Sequence, residues 1–480
     1  MTKGFQAWDT VQALSSYVRG MLSSAAILRG VGVGQKVLRA GRAASPLAAV
    51  FTFFLRDLAG MLGGILFAYL EGAGFDSCAK QWRLFADITN DVGMTLELAS
   101  PLLPRAAFLP IACLGSIARS VTGVAGGATR AALTQHFAVR GNAADVAAKE
   151  QSQETATTIV GMVLGMALTR LLTPQHADPA AGDGAAARSS PPAGAAATAA
   201  AWLVFLALTA LHVAANVAAL RCLLLHSLNQ PRAEMLIRRY LRDSTVLSPL
   251  QVAQTEDLTP PPFRRLLDVL TGAARRQPVQ LRWGSRLSAL LPTIGRGPGL
   301  DKLVSRQATD RRYLLVASSA TSSAATATTA AAKPAAAATG GGNPNAGGGS
   351  GAAAAAATVH VVLAASASPT DFLRAYVHAH VLAAGLAAAA TRRGASGGKQ
   401  AAAVGPLQQS SDASAAAEAE ADAWMARRYD AFVLELAAAG WRPERVTLPR
   451  PAWTAEWEGG GAAAAAAAVG GRRGDGLHED

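Results

Sequence analysis

Residues 199–220, AAAWLVFLALTALHVAANVAAL, form one apolar run stopped by Arg221. About 20 predominantly apolar residues match the hydrocarbon core of a bilayer, so this run is the best transmembrane candidate in the chain. His212 and Asn216 stand four residues apart within it and share one helix face. A buried helix of a soluble bundle accommodates the same residues, and at this level both readings stay open.

Outward from this run, further apolar segments accumulate. Residues 47–70, LAAVFTFFLRDLAGMLGGILFAYL, are apolar except for Arg56 and Asp57 at their middle. Adjacent residues on a helix point about 100° apart, so these two charges need not pair with each other. In a spanning helix they must face a partner or a wet cavity; at a surface kink they are solvated. Residues 102–118 and 159–172 are apolar again, the latter with Gly161-x-x-x-Gly165, which suits close helix contact. Near the N-terminus Asp9 and Gln12 read as a capping box. After it Val11, Leu14, Val18, Met21, Leu22, Ala25 and Leu28 recur at helical spacing. Gln12, Ser15, Ser16, Arg19 and Ser23 take the other side, and the glycines at 30, 32 and 34 end the helix. Asp76 opens a more polar helix with Asp76/Lys80 and Arg83/Asp87 as i,i+4 pairs and an apolar stripe of Trp82, Phe85, Val92 and Leu96.

Residues 173–198 are rich in Pro, Ala, Gly and Ser and read as a disordered insert. Beyond 245 the texture changes. Residues 246–316 mix charged helical pattern with the strand-like VQLRW. VHVVL at 359–363 alternates like a strand and is followed by helix within 358–385. Residues 423–457 read as a helix, the turn AGW and an extended end. The stretches 317–357, 386–420 and 458–480 read as low-complexity linkers or tail. The expected fold is mainly α: a helical, membrane-embedded N-terminal domain over 5–245, plus a small α/β C-terminal module interrupted by those linkers.

Composition supports this division. Of 480 residues 51% are hydrophobic and 16% charged, with 47 glycines, although much of the hydrophobicity is alanine. The formal charge of +12 suits nucleic acid or an anionic membrane surface. The arginines are scattered, however, without a dense basic block or interleaved aromatics, which points away from nucleic acid and toward a membrane. Cys78, Cys113 and Cys222 are isolated, so neither a disulfide framework nor a zinc site is indicated and a reducing compartment is expected. Met1-Thr-Lys-Gly runs almost directly into helical pattern, without the character of a signal or transit peptide.

No reaction centre emerges. GVGVG at 30–34 with Lys36 lacks the preceding strand of a dinucleotide fold and the Gly-Lys-Ser/Thr of a phosphate loop, and reads as an interhelical turn. GVAGGATR at 123–130 allows backbones to approach closely, or free N–H groups near Arg130 to receive an anion. The pairs Asp87/Asp91 and Glu150/Glu154, beside Arg83 and Lys149, read first as salt-bridged helix faces. His136 has no evident nucleophile or metal partner, and His378-x-His380 has the wrong spacing for one helix face. CLGSI is not a Gly-x-Ser-x-Gly elbow. No enzyme activity, cofactor or metal is therefore expected. The candidate ligand or ion contacts are Arg56, Asp57, Arg119, Arg130, His136, Lys149, Glu150 and Glu154.

Several long blocks resemble the root UVB sensitive family in the same order. They are WDTVQALSSYVRG (8–20), FFLRDLAGMLGGILF (53–67), WRLFADITNDVG (82–93), SVTGVAGGATRAALTQHFA (120–138) and NAADVAAKEQSQET (142–155). The tail, GWRPERVTL with WTAEW within 440–457, is similar as well. Gln151 departs from the family pattern, which has glycine there, and the chain begins nearly at its Trp-Asp block. The resemblance implies predicted membrane segments, no established reaction, and connections with ultraviolet-B responses, development and vitamin B6 status, often in plastids. The expected function is a non-enzymatic membrane regulator or scaffold, with a carrier of a small anionic metabolite as the alternative. Its expected setting is an intracellular membrane such as a plastid's. The expected partners are that membrane and another family member, in a homo- or hetero-oligomer, with a small ligand left unnamed.

Overall fold

A computed structural model describes residues 3–31, 46–138, 140–172, 193–272, 279–294, 311–318, 357–396, 406–449, 451 and 453–456. In chain order the first helices are α1 (Lys3–Val31), α2 (Pro46–Glu71), α3 (Ala79–Ala99), α4 (Arg105–Phe137), α5 (Ala143–Leu172) and α6 (Ala193–Cys222). There follow β1 (Ser227–Asn229), α7 (Gln230–Asp243), α8 (Pro249–Thr255), α9 (Pro261–Thr271), β2 (Val279–Trp283) and α10 (Leu287–Ile294). The last elements are β3 (Tyr313–Ser318), β4 (Ala357–Ala364), α11 (Pro369–Ser396), α12 (Pro406–Ala438), β5 (Arg442–Thr447) and β6 (Thr454–Ala455). The chain divides into two units, Met1–Leu225 with Pro249–Arg264 and His226–Ser248 with Arg265–Asp480. Residues 226–248 thus go with the second unit and 249–264 with the first.

In the first unit α1 packs against α3, α5 and α6, while α4 packs against α2 and α3. Small residues set these contacts. A Cβ built on Gly161 would lie 2.6 Å from Tyr17 Cβ, and one on Gly165 2.7 Å from Met21 Cγ, so Gly161-x-x-x-Gly165 seats α5 against α1. At the α3–α4 crossing a Cβ on Gly93 would lie 3.0 Å from the Gly115 carbonyl oxygen. Buried Trp82 packs with Phe67, Phe75 and Phe85 at ring separations of 5.9, 5.0 and 5.3 Å. Lys80 pairs with Glu256 in a buried contact, and the Gln81 amide donates to the Asp257 carbonyl at 2.9 Å, which ties 249–264 to α3.

Several local readings change. Asp9 lies inside α1, whose start at Lys3 removes it from any cap, and it accepts from Arg83 at 2.6 Å. The helix expected from Asp76 starts at Ala79, so Asp76 does not open it. The ion pairs observed for Lys80 and Arg83 are made across the bundle, to Glu256 and Asp9, and not at i,i+4 spacing. The glycine-rich 123–130 continues α4 without a break, so its N–H groups are spent within the helix. Residues 193–198 of the expected disordered insert belong to α6, while 173–192 lie outside the described residues. The 32–45 region, with most of the expected glycine turn, lies outside them too.

Beside its apolar core the unit buries a set of polar side chains, and it exposes apolar ones. The stripe Gln12, Ser15, Arg19, Ser23 is buried, with Arg19 and Ser23 at 0% exposure. Meanwhile Phe51, Ile65 and Tyr69 of α2, Val163 of α5 and Leu203 of α6 are exposed, between 59% and 85%. By length and composition α2, α4, α5 and α6 (from Ala197) are long and apolar enough to cross a membrane.

In the second unit β4 is central. It pairs parallel with β2, antiparallel with β3 and, at its end, parallel with β6. β1 and β5 form a separate parallel pair. Leu314, Val316, Val362 and Leu290 build one core cluster. α11 is also long and apolar enough to cross a membrane, but it packs on β2, β4, β5 and α12, and that packing accounts for its hydrophobicity. Residues 386–396 and 406–420 of the expected linker are helical, as the ends of α11 and α12. Alanine is the best helix former, which low complexity alone does not convey. Tyr313 meets His378 Nδ1 at 3.1 Å, and His378 Nε2 lies 3.3 Å from Asp422, which also pairs with Arg311 at 2.7 Å. Burial pushes the His380 imidazole down to about 4 and the Tyr313 phenol up to about 12.

Candidate functional site

A cavity of about 630 Å³ lies among α1, α3, α4 and α5 of the first unit. Its charged lining comprises four carboxylates, Asp9, Asp87, Glu150 and Glu154, and three guanidiniums, Arg83, Arg119 and Arg130. α1 and α3 supply one wall through the spacing Asp9, Gln12, Ser16 against Arg83, Asp87, Asn90, where Asn90 Nδ2 donates to Ser16 Oγ at 3.2 Å. α4 supplies Gly123, Gly126 and Gly127, where an added Cβ would meet nothing within 4 Å. The glycines expected to pack tightly instead keep this wall thin.

The guanidiniums are all engaged. Arg83 Nη2 holds Asp9 at 2.6 Å, and Arg119 Nη1 holds buried Glu97 at 3.1 Å. Arg130 reaches Glu154 at 2.6 Å and Glu150 at 3.6 Å, and its Nη1 donates to Gln151 Oε1 at 3.4 Å. Gln151, where the family resemblance led to an expectation of glycine, therefore joins the α4–α5 charge cluster. Tyr17 donates to Glu154 at 3.4 Å from the facing helix.

Behind Asp87 lies a buried polar network. Gln12 Nε2 is 3.0 Å from Asp87 Oδ1 and 2.9 Å from His212 Nε2. His212 Nδ1 is 3.0 Å from Asp91 Oδ2, and Asp91 Oδ1 is 2.7 Å from Arg19 Nη1. Arg19 also donates to Thr209 at 3.1 Å, and Asn216 Nδ2 donates to Asp87 Oδ2. An amide that donates to His212 Nε2 leaves the imidazole proton on Nδ1, facing Asp91. α3 is not among the helices apolar enough to span. There burial pushes the Asp87 carboxyl above its ordinary range, against the pull of Arg83, His212 and Asn216, while Asp91 adds to the rise.

Four of the residues expected from the sequence, Arg119, Arg130, Glu150 and Glu154, are brought together in the cavity. The others are not. Arg56 and Asp57 pair with each other at 3.1 Å on α2, with Arg56 over the Phe53 ring, and do not line the cavity. Adjacent side chains meet there because the long arginine folds back along the helix surface. Lys149 pairs with Asp145 at 2.9 Å on the exposed face of α5, and His136 Nε2 meets the Leu224 carbonyl at 3.2 Å. Sequence reasoning missed Asp9, Gln12, Arg83 and the Arg19–Asp91 pair. The available signal was the polar stripe of α1 together with His212 and Asn216 inside the most apolar segment.

Two family models match. One, described as "Vitamin B6 photo-protection and homoeostasis domain", covers residues 3–244. The other, "Root UVB sensitive protein, C-terminal", covers residues 351–457. Protein root UVB sensitive 3 of Arabidopsis thaliana is 37% identical over 454 residues, spanning 95% of this chain and 82% of the relative. The chain belongs to the root UVB sensitive family. RUS family member 1 of Dictyostelium discoideum is 38% identical over 256 residues, 53% of this chain and 44% of that one. Protein root UVB sensitive 2, chloroplastic, of Arabidopsis thaliana is 28% identical over 278 residues, 58% of this chain and 57% of that one. No solved structure matches. The cavity lies wholly within the stretch matched by the vitamin B6 domain of this family.

Proposed function

We propose that this root UVB sensitive protein is a non-enzymatic membrane protein whose first unit binds and carries a small polar metabolite of the vitamin B6 group. The observation that carries this reading is a cavity lined by seven charged side chains inside helices whose outer faces are apolar. Charged groups within apolar helical bundles mark solute paths, because burying them against lipid costs several kcal/mol on most scales. The volume suits a small molecule, since ligand pockets run to about 300–1,000 Å³. The vitamin B6 group comes from the printed description of the family model. An intracellular membrane, a plastid membrane in particular, fits the chloroplastic relative. A carrier uses a charged cavity between apolar helices directly, whereas a scaffold does not require one, and so the carrier is favoured.

Uptake of radiolabelled pyridoxine, pyridoxal, pyridoxamine and pyridoxal 5′-phosphate into liposomes holding the full chain tests the proposal. Uptake of at least one vitamer is expected, with loss in Gly126→Trp, which fills the cavity from a position facing open space. Lack of uptake and of binding for all four would overturn it.

A further inference from the structure

Every guanidinium at the cavity and directly behind it is already held by a carboxylate. Arg83 holds Asp9, Arg119 holds Glu97, Arg130 holds Glu154 and Glu150, and Arg19 holds Asp91. Four guanidiniums thus meet five carboxylates. Asp87 is a sixth, which lines the cavity and, among the described residues, makes no ion pair. His212, the other basic side chain of the network, meets Asp91 rather than Asp87. The two oxygens of Asp87 accept from the amides of Gln12 and Asn216, and such donors favour the charged form. Burial works against that charge, and a cation in the cavity would answer it. Neutral acceptors gather beside the same residue. Thr122 of α4 donates to the carbonyl of Ala86, next to Asp87 in the chain, at 3.0 Å, and keeps its own lone pairs. Asn90, one turn after Asp87 on α3, spends its Nδ2 on Ser16 Oγ at 3.2 Å, and its carbonyl oxygen remains an acceptor.

We propose that Asp87 is the docking point for an ammonium group of the solute, so that the cavity takes a small organic cation in preference to an anion. A primary ammonium brings one positive charge and three donors. One N–H meets the Asp87 carboxylate, and Asn90 and Thr122 offer oxygens for the others. A phosphate or carboxylate solute needs donors instead, and each guanidinium it could reach must first leave the carboxylate that holds it. A metal ion suits the site less, since among the described residues no group of three or more His, Cys, Asp or Glu is placed to hold one. The vitamin B6 group contains a matched pair for this question. Pyridoxamine carries an aminomethyl group where pyridoxine carries a hydroxymethyl group, and the two are otherwise alike. The inference deepens the carrier reading and rests on it for the choice of these solutes.

Titration calorimetry on the full-length protein in lipid nanodiscs at neutral pH tests it with pyridoxamine, pyridoxine, pyridoxine 5′-phosphate and benzylamine. Pyridoxamine should bind about 10–100-fold more tightly than pyridoxine, the worth of one hydrogen bond to a charged group. Pyridoxine 5′-phosphate should bind no more tightly than pyridoxine. In Asp87→Asn the advantage of pyridoxamine should vanish. Asp87→Glu keeps the charge and should keep an advantage, which serves if the first variant fails to fold. Pyridoxine or its phosphate binding as tightly as pyridoxamine overturns the inference and leaves the carrier reading standing. An advantage that survives Asp87→Asn in folded protein does the same. Benzylamine bound through Asp87, with no vitamer bound, upholds the cation site and removes the vitamin B6 reading. Absence of binding by all four overturns the inference.

Discussion

Replacing Arg19 by methionine probes the polar interior of the first unit most sharply. The guanidinium is 0% exposed, holds Asp91 at 2.7 Å, donates to Thr209 at 3.1 Å and to the Ser15 carbonyl at 3.3 Å, and lies 5.8 Å from the Phe205 ring centre. Methionine retains most of the aliphatic packing but leaves buried Asp91 with His212 as its remaining side-chain neighbour. Breaking a buried pair on one side costs about 3–5 kcal/mol, because the surviving charge has lost both water and partner. For a unit of this size about 1 kcal/mol moves the melting point by roughly 2–4 °C, so a fall of about 6–20 °C is expected by circular dichroism. Arg19→Met with Asp91→Leu removes both charges and should recover most of the loss. A fall below about 2 °C would place Arg19 in contact with solvent, where ion pairs are worth about 0–1 kcal/mol, and would refute the reasoning. A double variant no better than the single one would do so as well.

Other consequences are equally open to measurement. Gly161→Leu should drive a side chain into Tyr17 and lower the melting temperature, since overpacking costs about 1–3 kcal/mol. Gly126→Ala, whose new methyl meets nothing within 4 Å, should leave stability unchanged or raise it by up to about 1 kcal/mol. Lys80→Met should remove the buried cation opposite Glu256, loosen 249–264 from α3 and open it to limited proteolysis, read as a new cleavage near that segment. His380 is held at about 4 when folded, against an ordinary value of 6.5, so the unfolded chain binds its proton first as pH falls. Stability from this group is full above about 6.5 and is lost toward about 4, and His380→Leu should flatten that part of the acid melting curve.

Much of the fold was legible because it rests on periodicity. The apolar run 47–70 became α2, 199–220 became most of α6, and the alternating VQLRW and VHVVL became strands. Gly161-x-x-x-Gly165 was legible as a contact because small residues at that spacing have one common use. Periodicity separates the two faces of α1 but does not say which faces inward. Here α1 packs against three helices, so Gln12, Ser15, Arg19 and Ser23 are buried together with Val18 and Leu22 of the other side. The pairing of Arg83 with Asp9 and of Lys80 with Glu256 was beyond reach for the same kind of reason, since helical spacing lists neighbours along one element only. The site was half legible: Arg130 stood out beside the glycines of 123–130, and Glu150 and Glu154 were among the candidate contacts, but both they and Asp87 read first as members of salt-bridged faces.

The placing of a polar cavity among apolar outer faces in the first unit is tested most directly by site-directed spin labels on full-length protein in bilayers, with Cys78, Cys113 and Cys222 replaced by serine. Labels at Ile65, Val163 and Leu203 sit on the exposed apolar faces, and labels at Ser16, Gly123 and Gln153 line the cavity. The first set should relax with dissolved oxygen and be shielded from a water-soluble nickel chelate, while the second set is reached by the chelate. Free access of the chelate to Ile65, Val163 and Leu203 would contradict a membrane-embedded unit with a polar cavity.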